Sequence, residues 1–308
     1  MEVVEEKPSS GYGKPPWVFR GSALYQLHLV KAEKVQACIP KEFKLVKAFG
    51  YTLGGFFLAS YEDSPAGVFD ELVVIAGLVW NRPTSCAWAT KVYVNSVEAC
   101  NHGRKEVGLP SQMARFSKTI EAIARQPRGR MKEFSNMIGI NDMFCNPNDH
   151  HMNVQVTKVK CLDQADSCNI SLTSSVPALS WMGPAIKMSL PSFSGGTVYN
   201  PNLLKYSCQI ECRVKAVQPM KVLGAMPLTN GERDQCSEDH RANNHVVGDD
   251  QNDREKLINY VMLSKPILAL KFSQMRMQVE APIVLSQCSN SSQTSVTSVP
   301  LSNIERFV

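Results

Sequence analysis

Long apolar runs are missing from this sequence of 308 residues. The longest strictly apolar stretch, residues 72–80, is about half as long as a membrane-spanning helix requires, so no transmembrane span is expected. The first residues hold three glutamates and match neither a secretory signal nor an arginine-rich transit peptide. The expected location is therefore the cytoplasm, with the plastid as the alternative.

The sequence also has little excess charge and no paired metal-ligand motif. Its 33 lysines and arginines against 28 aspartates and glutamates leave a net charge of +5, which is too weak to indicate a nucleic-acid partner. The ten cysteines form no Cys-x-x-Cys pair, so reduced thiols are expected. Cys208 and Cys212 share one face of an alternating segment, which favours core packing over metal binding. The adjacent His150 and His151 point to opposite faces of an extended chain, and neither a metal nor another cofactor is predicted.

Short alternating or wholly apolar segments separated by Gly, Pro, Asn and Asp dominate the chain, which predicts a mainly β protein built on an antiparallel sheet. A phase change near Ser273 and Gln274 predicts a β-bulge in the last strand. A short helix ending at Pro40 should follow the first strand, whereas residues 112–124 fit a helix and a strand equally well. The predicted strands are residues 25–30, 53–59, 72–80, 88–94, 154–159, 206–214 and 268–279.

One domain, residues 17–285, is expected between flexible ends formed by residues 1–16 and 286–308. Residues 229–256 are almost all polar and cannot bury enough apolar surface to offset the entropy of ordering. We therefore predict a disordered insertion there. Because predicted strands lie on both sides of it, the insertion should interrupt one domain and not join two.

Three segments in order along the chain resemble the acetoacetate decarboxylase-like superfamily. They are a Gly-x-aromatic-x-Glu pattern at Gly67–Phe69–Glu71, a Gly-Arg pair at residues 103–104 followed by Pro110, and a Trp-x-Gly-Pro pattern at residues 181–184. The resemblance covers residues 20–214, with residues 257–285 completing the domain. It implies a single domain around a largely closed antiparallel β-barrel with short flanking helices.

The sequence departs from that superfamily at the catalytic position. Family decarboxylases carry two lysines after the proline, one of which forms a Schiff base with the keto acid. Here Ser111 and Gln112 occupy those positions, and neither side chain is an amine, so Schiff-base decarboxylation is not expected. Arg20 lies about one residue away from the position of the family's early cavity arginine.

Four residues remain candidates for a cavity in the barrel, and no residue is assigned as catalytic. The resemblance places Glu71 in the cavity, although an exposed position at a strand start is the alternative. Arg104 would either orient a carboxylate or form a structural ion pair. Ser111 lacks a Gly-x-Ser-x-Gly elbow, and with Gln112 it is better explained by turn structure. The basic residues 125–132 are expected to form a solvated loop.

At finer detail the chain resembles a plant branch of the superfamily. That resemblance implies a role in carotenoid metabolism, in the formation of neoxanthin from violaxanthin upstream of abscisic acid, without catalysis of the conversion itself. The first hypothesis is an accessory or binding protein for a hydrophobic or isoprenoid ligand, or for a carotenoid-pathway enzyme. The alternative is a lysine-independent enzyme using Glu71 as general acid or base. A third hypothesis is a scaffold. Cavity shape should separate these hypotheses. A long apolar cleft indicates a carotenoid-sized ligand, a small polar pocket indicates an enzyme, and a filled interior indicates a scaffold.

Overall fold

The computed structural model of the chain describes residues 11–41, 43–122, 150–159, 169–176, 182–195, 197–223 and 247–286. Within them the chain is mainly β. The strands are β1 Trp17–Lys31, β2 Tyr51–Asp63, β3 Phe69–Asn81, β4 Thr84–Val94, β5 Ser111–Ala122, β6 His150–Lys158, β7 Asn169–Val176, β8 Ala185–Gly195, β9 Leu203–Val217, β10 Lys221–Leu223, β11 Lys265–Val279 and β12 Ile283–Ser286. The helices are α1 Ala32–Val35, α2 Val97–His102 and α3 Val247–Leu263, with a 3₁₀ turn at Gln36–Cys38 and a π-helical turn at Gly103–Val107.

Seven strands close into a barrel in the order β1, β2, β3, β4, β8, β9 and β11, and β11 pairs again with β1. Closure removes the unpaired edges that an open sheet would present. Most pairings are antiparallel, as the sequence predicts, but β4 pairs in parallel with both β5 and β8. The predicted closed barrel is confirmed, and its sheet is mixed.

A second layer lies against one side of the barrel. Strands β5, β6, β7 and β10 continue the sheet beyond β4, and helix α3 packs against β1, β2, β3 and β10. Because successive strand residues alternate between faces, the barrel strands supply two cores. The inner core includes Phe19, Tyr61, Val92, Ile210, Phe272 and Met275, and the outer core includes Phe56, Leu72, Val74, Val156, Leu172 and Val261.

The local structure agrees with the predicted strands, the predicted helix after β1 and the predicted bulge. Each of the seven predicted strand segments lies largely within an observed strand, and α1 follows β1 as expected. The predicted bulge is present, because the β11–β9 register shifts between Ser273 and Arg276 and Gln274 has a φ of 51°. The ambiguous segment 112–124 is a strand as far as Ala122.

One prediction needs correction. Residues 229–246 lie outside the described residues, but Val247 begins α3, so residues 247–256 of the predicted disordered insertion are helical. They precede Ile258, Val261 and Met262, which are buried in the outer core. The apolar second half of the helix anchors a polar first half whose composition, taken alone, predicts a loop. Residues 1–10 and 287–308 lie outside the described range.

None of the helices in the described ranges is long and apolar enough to cross a membrane.

Candidate functional site

A cavity of about 110 Å³ lies inside the barrel. Most of its wall is aromatic or aliphatic, including Phe19, Tyr25, Phe57, Phe69, Ile75 and Met277. Polar atoms on the described wall come from Glu71, His102, Ser192, Cys208 and the tyrosine hydroxyls. The cavity is therefore small and largely apolar, with a few polar groups at defined places.

Glu71 reaches this cavity from β3. Phe69, Glu71, Val73 and Ile75 alternate along the strand and all line the cavity. On the neighbouring strand β2, Tyr61 is 1% exposed, and its hydroxyl donates a hydrogen bond of 2.9 Å to a carboxyl oxygen of Glu71. Strand pairing thus holds a phenol and a carboxyl group together on the cavity wall.

Burial raises the pKa of Glu71 to about 7, although the hydrogen bond from Tyr61 acts in the opposite direction. A low-polarity environment disfavours the carboxylate, and one donated hydrogen bond does not fully compensate for the lost water. The pKa of Tyr61 is raised well above its ordinary value, first by burial and then by the neighbouring Glu71. Glu71 is therefore the group that gains and loses a proton near neutral pH.

Cys208 also lines the cavity, and its pKa is raised to about 12 by burial and by Glu71. Its thiol stays protonated near neutral pH, so it does not present the thiolate that nucleophilic chemistry requires. Cys212, four residues further along β9 and on the same face, is buried in the inner core. The predicted packing role of these cysteines agrees with their positions.

Arg104 lies away from Glu71. It belongs to the π-helical turn after α2, where its Nε donates to the Ser111 carbonyl oxygen at 2.8 Å. Its guanidinium carbon lies 5.1 Å from the centre of the Tyr199 ring, and one terminal nitrogen donates to the Tyr199 hydroxyl at 3.3 Å. Arg104 does not line the cavity, so it supports the turn and the start of β5.

Ser111 and Gln112, the residues at the family's lysine positions, begin β5 and also lie outside the cavity lining. Ser111 is 4% exposed, and its hydroxyl has no hydrogen-bond partner among the described residues. A Cβ atom on Gly103 would lie 2.6 Å from that hydroxyl oxygen. Gln112 pairs in register with Tyr93 of β4. Of the four candidates, only Glu71 is on the cavity wall.

His102 is a cavity residue that the sequence reasoning missed. It is the last residue of α2, 3% exposed, and its ring contacts Tyr12 and Trp17 at centroid distances of 5.0 and 4.8 Å. Burial lowers its pKa, which favours the neutral imidazole, and its Nε2 atom has no hydrogen-bond partner among the described residues. The sequence feature that could have identified His102 as a cavity residue is its position directly before the Gly-Arg pair.

Two further motif residues have structural roles. Arg20 points away from the cavity and forms an exposed ion pair with Asp63 at 2.9 Å, while its neighbour Phe19 lines the cavity. Gly183 has a φ of 80°, and a Cβ atom there would lie 1.8 Å from the Val214 carbonyl oxygen. Only glycine fits such a position, which explains that part of the third motif. Trp181 and residues 125–132 lie outside the described residues.

Comparison with known proteins gives three full-length relatives. The chain is 57% identical over 286 residues to Protein NEOXANTHIN-DEFICIENT 1 of Arabidopsis thaliana, covering 92% of this chain and 99% of that protein. The protein of the same name from Solanum lycopersicum is 57% identical over 295 residues, covering 94% and 99%. The chain belongs to the Neoxanthin-deficient 1 family. The rice member, from Oryza sativa subsp. japonica, is 51% identical over 284 residues, covering 91% and 93%.

The structural relatives of this Neoxanthin-deficient 1 family member agree with its barrel. An acetoacetate decarboxylase from Legionella pneumophila superimposes with a TM-score of 0.52 at 10% identity, covering 92% of this chain and 93% of that one. A second acetoacetate decarboxylase structure gives a TM-score of 0.50 at 8% identity, covering 90% and 92%. At such identities the likeness shows the shared fold alone. No family model matches the chain.

Proposed function

We propose that this chain takes part in neoxanthin formation, a role that the printed name of its relatives, Neoxanthin-deficient 1, supports, and that it acts there as a binding protein for a small neutral molecule. The observation that carries this proposal is the cavity of about 110 Å³ with Glu71 on its apolar wall. A concave, mostly apolar space with a few placed polar groups is the usual form of a small-molecule site.

The size of the cavity limits the ligand. A cavity of roughly 150 Å³ is known to hold benzene, so a space of about 110 Å³ suits a molecule of about six non-hydrogen atoms. A forty-carbon carotenoid is several times larger. The size of the cavity therefore supports a small ligand. A carotenoid-binding protein would be expected to contain a long apolar cleft, and this cavity is much smaller.

The charges on the wall limit the ligand further. The described lining contains neither lysine nor arginine, and burial favours the uncharged forms of both Glu71 and His102. An anionic keto acid placed there would be a buried charge without a counter-ion, which is costly. A neutral carbonyl or hydroxyl compound matches the wall, since Glu71 and Tyr61 supply hydrogen bonds at one place.

Native mass spectrometry of the full chain tests this proposal. The protein is incubated with a plant lipid extract, purified again, and the bound molecules are identified. The expected result is a small neutral compound that is lost from the Glu71→Leu variant, in which the carboxyl group is absent. The matched control is Glu211→Leu, which removes an exposed carboxylate on β9. Stoichiometric capture of a carotenoid would contradict the proposal.

A second function has one specific observation in its favour. A general acid or base works best when its pKa lies near the working pH, and burial raises the pKa of Glu71 to about 7. In this alternative the cavity ligand is a substrate, and Glu71 moves a proton to or from it. Incubating the identified ligand with protein in D₂O separates the two functions. Deuterium incorporation or product formation that Glu71→Gln abolishes supports the enzyme, and an unchanged ligand supports the binding protein.

A further inference from the structure

The apolar inner face of the barrel reaches the surface at the end where β3 turns into β4. On β2, Tyr51 lies an even number of residues before the cavity residue Phe57, so both side chains are on the same face of the strand. Leu78 of β3 pairs with the cavity residue Ala87, and Trp80, two residues later, points the same way. Tyr51 and Trp80 are both exposed. The inner face therefore ends in aromatic side chains that contact solvent.

Strand β11 brings aliphatic side chains to the same end of the barrel. Its first residue, Lys265, pairs with Leu29 of β1, and Tyr51 pairs with Lys31, two residues further along β1. The start of β11 and the start of β2 are thus held on either side of the end of β1. The exposed aliphatic residues at the junction of α3 and β11 are Leu263, Ile267 and Leu268.

Phe49 stands at the tip of a hairpin that projects from this end. The backbones of Ala48 and Tyr51 exchange two hydrogen bonds of 2.9 Å, and the Gly50 carbonyl accepts a third from Ala32 at 2.9 Å. Phe49 and Gly50 have φ angles of 51° and 81°, as in a type I′ turn, where Asn-Gly is preferred and a bulky side chain is a steric outlier. Phe49 is fully exposed, so no packing within the described residues offsets this cost.

The same end of the barrel is basic. Residues 31–51, which include α1 and the hairpin, contain five lysines and two glutamates, one of which, Glu42, lies outside the described residues. Residues 263–271 add two lysines and no acidic residue, and Arg82 is exposed in the turn between β3 and β4. Positive charge therefore exceeds negative charge even when every acidic residue of these segments is counted.

Backbone pairing places exposed lysines directly beside the apolar residues. Lys31 lies opposite Tyr51 in the β1–β2 register, and Lys265 begins β11 just before its exposed aliphatic residues. The carbonyl of Lys44 accepts a hydrogen bond of 2.8 Å from the backbone nitrogen of Trp80. All three lysines are exposed. An apolar surface with a basic border is thus built from the ends of β1, β2, β3 and β11.

We propose that this apolar end surface, formed by Phe49, Tyr51, Trp80, Leu263, Ile267 and Leu268 with the lysines beside them, docks on a membrane rich in anionic phospholipid. Aromatic side chains are favoured at the boundary between headgroups and acyl chains, and lysines near the surface are attracted to anionic headgroups. Apolar burial and charge attraction together give stronger binding than either gives alone. This docking is independent of the cavity ligand.

A second copy of the chain fits this surface less well. A twofold contact would bring the same patch of each copy together, so that lysines of one copy would face lysines of the other. Like charges placed opposite each other at an interface are unfavourable. An anionic lipid surface instead supplies negative charge over the whole basic border.

Flotation of the full chain with lipid vesicles provides the first test. Phosphatidylcholine vesicles are compared with vesicles that also contain phosphatidylglycerol, an anionic lipid. We expect binding to the anionic vesicles that Phe49→Asn weakens severalfold. Because asparagine before Gly50 suits the turn, this variant should be at least as stable in urea as the wild type. The matched control is Val198→Asn, which changes another fully exposed apolar residue, in the loop between β8 and β9, and should keep full binding.

The charge contribution is tested with lysine variants in the same assay. Lys44→Gln and Lys47→Gln should each weaken binding by about fivefold, and added salt should weaken binding of the wild type. Lys105→Gln, which removes an exposed lysine from the π-helical turn after α2, should leave binding unchanged.

Three results would overturn the proposal. They are equal binding to neutral and anionic vesicles, no binding to either, and anionic binding that Phe49→Asn leaves unchanged. Analytical ultracentrifugation without vesicles examines the competing occupant. A monomer–dimer equilibrium that Phe49→Asn shifts to monomer would assign this surface to a second copy and would also contradict membrane docking, whereas an association state unaffected by Phe49→Asn supports it.

Discussion

The hydroxyl of Tyr61 donates a hydrogen bond of 2.9 Å to the carboxyl group of Glu71 inside the barrel. Both residues are on adjacent strands, and their side chains meet on the cavity wall. The tyrosine hydroxyl stabilises the carboxylate, whereas burial stabilises the carboxylic acid. This balance keeps the proton of Glu71 exchangeable near pH 7, and it makes the stability of the barrel depend on pH.

We first expect Glu71→Gln to stabilise the protein at alkaline pH. The pKa of Glu71 rises from 4.5 to about 7 on folding, so the folded state retains the proton while the unfolded state loses it. The free energy of unfolding therefore falls as pH rises from about 4.5 to about 7, by at most about 3 kcal/mol. Glutamine does not ionise, so the Glu71→Gln variant avoids this decrease in the free energy of unfolding. Urea unfolding at pH 4.5 and 8 should show a gain for the variant only at pH 8.

The same substitution tests function. If the carboxyl group contacts the ligand, Glu71→Gln should fail to restore neoxanthin in a plant that lacks the endogenous protein, although the variant is at least as stable as the wild type at neutral pH. Tyr61→Phe should restore it in part, because it removes the partner of Glu71 and keeps the ring. Normal neoxanthin in both plants would show that the cavity carboxyl group is not needed.

Acetoacetate followed by borohydride should leave no adduct in the cavity. Reductive trapping requires an amine beside the bound ketone, and the described cavity wall has no lysine. Intact mass spectrometry of the treated chain checks this, and peptide mapping assigns any adduct that does form. Modification of Lys105 or Lys118 that a competing cavity ligand prevents would restore Schiff-base chemistry to this protein.

Much of the barrel could be predicted from sequence because its strands are buried on alternate faces. The pattern of Tyr206, Cys208, Ile210 and Cys212 indicated β9, and the phase change at Ser273 indicated the bulge that the β11 register contains. The parallel pairings of β4 depend on contacts with β5 and β8, which are distant in sequence. Local periodicity carries no information on such pairings, and helix α3 was missed because only its second half has an apolar pattern.

The candidate site was less predictable than the barrel, because it depends on the directions of a few individual side chains. The resemblance identified Glu71, and alternation along β3 explains its inward position. The resemblance made Arg104 and Ser111 candidates for the cavity, with a structural ion pair as the alternative for Arg104 and turn structure as the better explanation of Ser111. The π-helical turn at Gly103–Val107 carries Arg104 toward the Ser111 carbonyl and Tyr199. A shift in the β3–β4 register likewise moves Lys91 to the outer face. Each irregularity changes a side-chain direction without a clear signal in the sequence.

Acidification should weaken the contact between α3 and the barrel. The Gln26 amide binds both backbone groups of Met220, at 3.1 and 2.7 Å, which fixes its orientation. Its NH₂ group then donates to Nε2 of His28 at 2.9 Å, so Nδ1 of His28 carries the proton that is donated to the Val261 carbonyl of α3. Burial lowers the pKa of His28, although the hydrogen bond to Val261 acts in the opposite direction. Protonation of Nε2 would in addition leave the Gln26 NH₂ group and the imidazolium N–H pointing at each other as two donors.

Because the folded state binds this proton less readily than the unfolded state, the contribution of His28 is complete above about pH 6.5 and declines as the pH falls below it. Hydrogen exchange in α3 should therefore accelerate between pH 7 and 5 beyond the intrinsic pH dependence of exchange. Gln26→Leu should lower the free energy of unfolding by about 1–3 kcal/mol at pH 7, because it leaves two buried backbone groups of Met220 without partners. Equal corrected exchange at both pH values would contradict the role of His28.

The contact between Gly103 and Ser111 can be tested by a double-mutant cycle. A Cβ atom at residue 103 would lie 2.6 Å from the Ser111 hydroxyl oxygen but at ordinary distances of 3.6 and 3.7 Å from the Ser111 Cβ and a Leu109 methyl carbon. Gly103→Ala alone should therefore cost about 1–3 kcal/mol through overpacking. Ser111→Ala removes a buried hydroxyl that has no partner among the described residues, so it should be neutral or stabilising.

In the double variant the clash is absent. The helical backbone of Gly103, with φ of −57°, then favours alanine over glycine by up to about 1 kcal/mol. We expect the double variant to be as stable as the wild type or more stable, measured by urea unfolding at pH 7. If Gly103→Ala is equally costly with and without the Ser111 hydroxyl, the obstruction lies elsewhere. In that case Ser111, at the family's lysine position, is not the residue that requires glycine at 103.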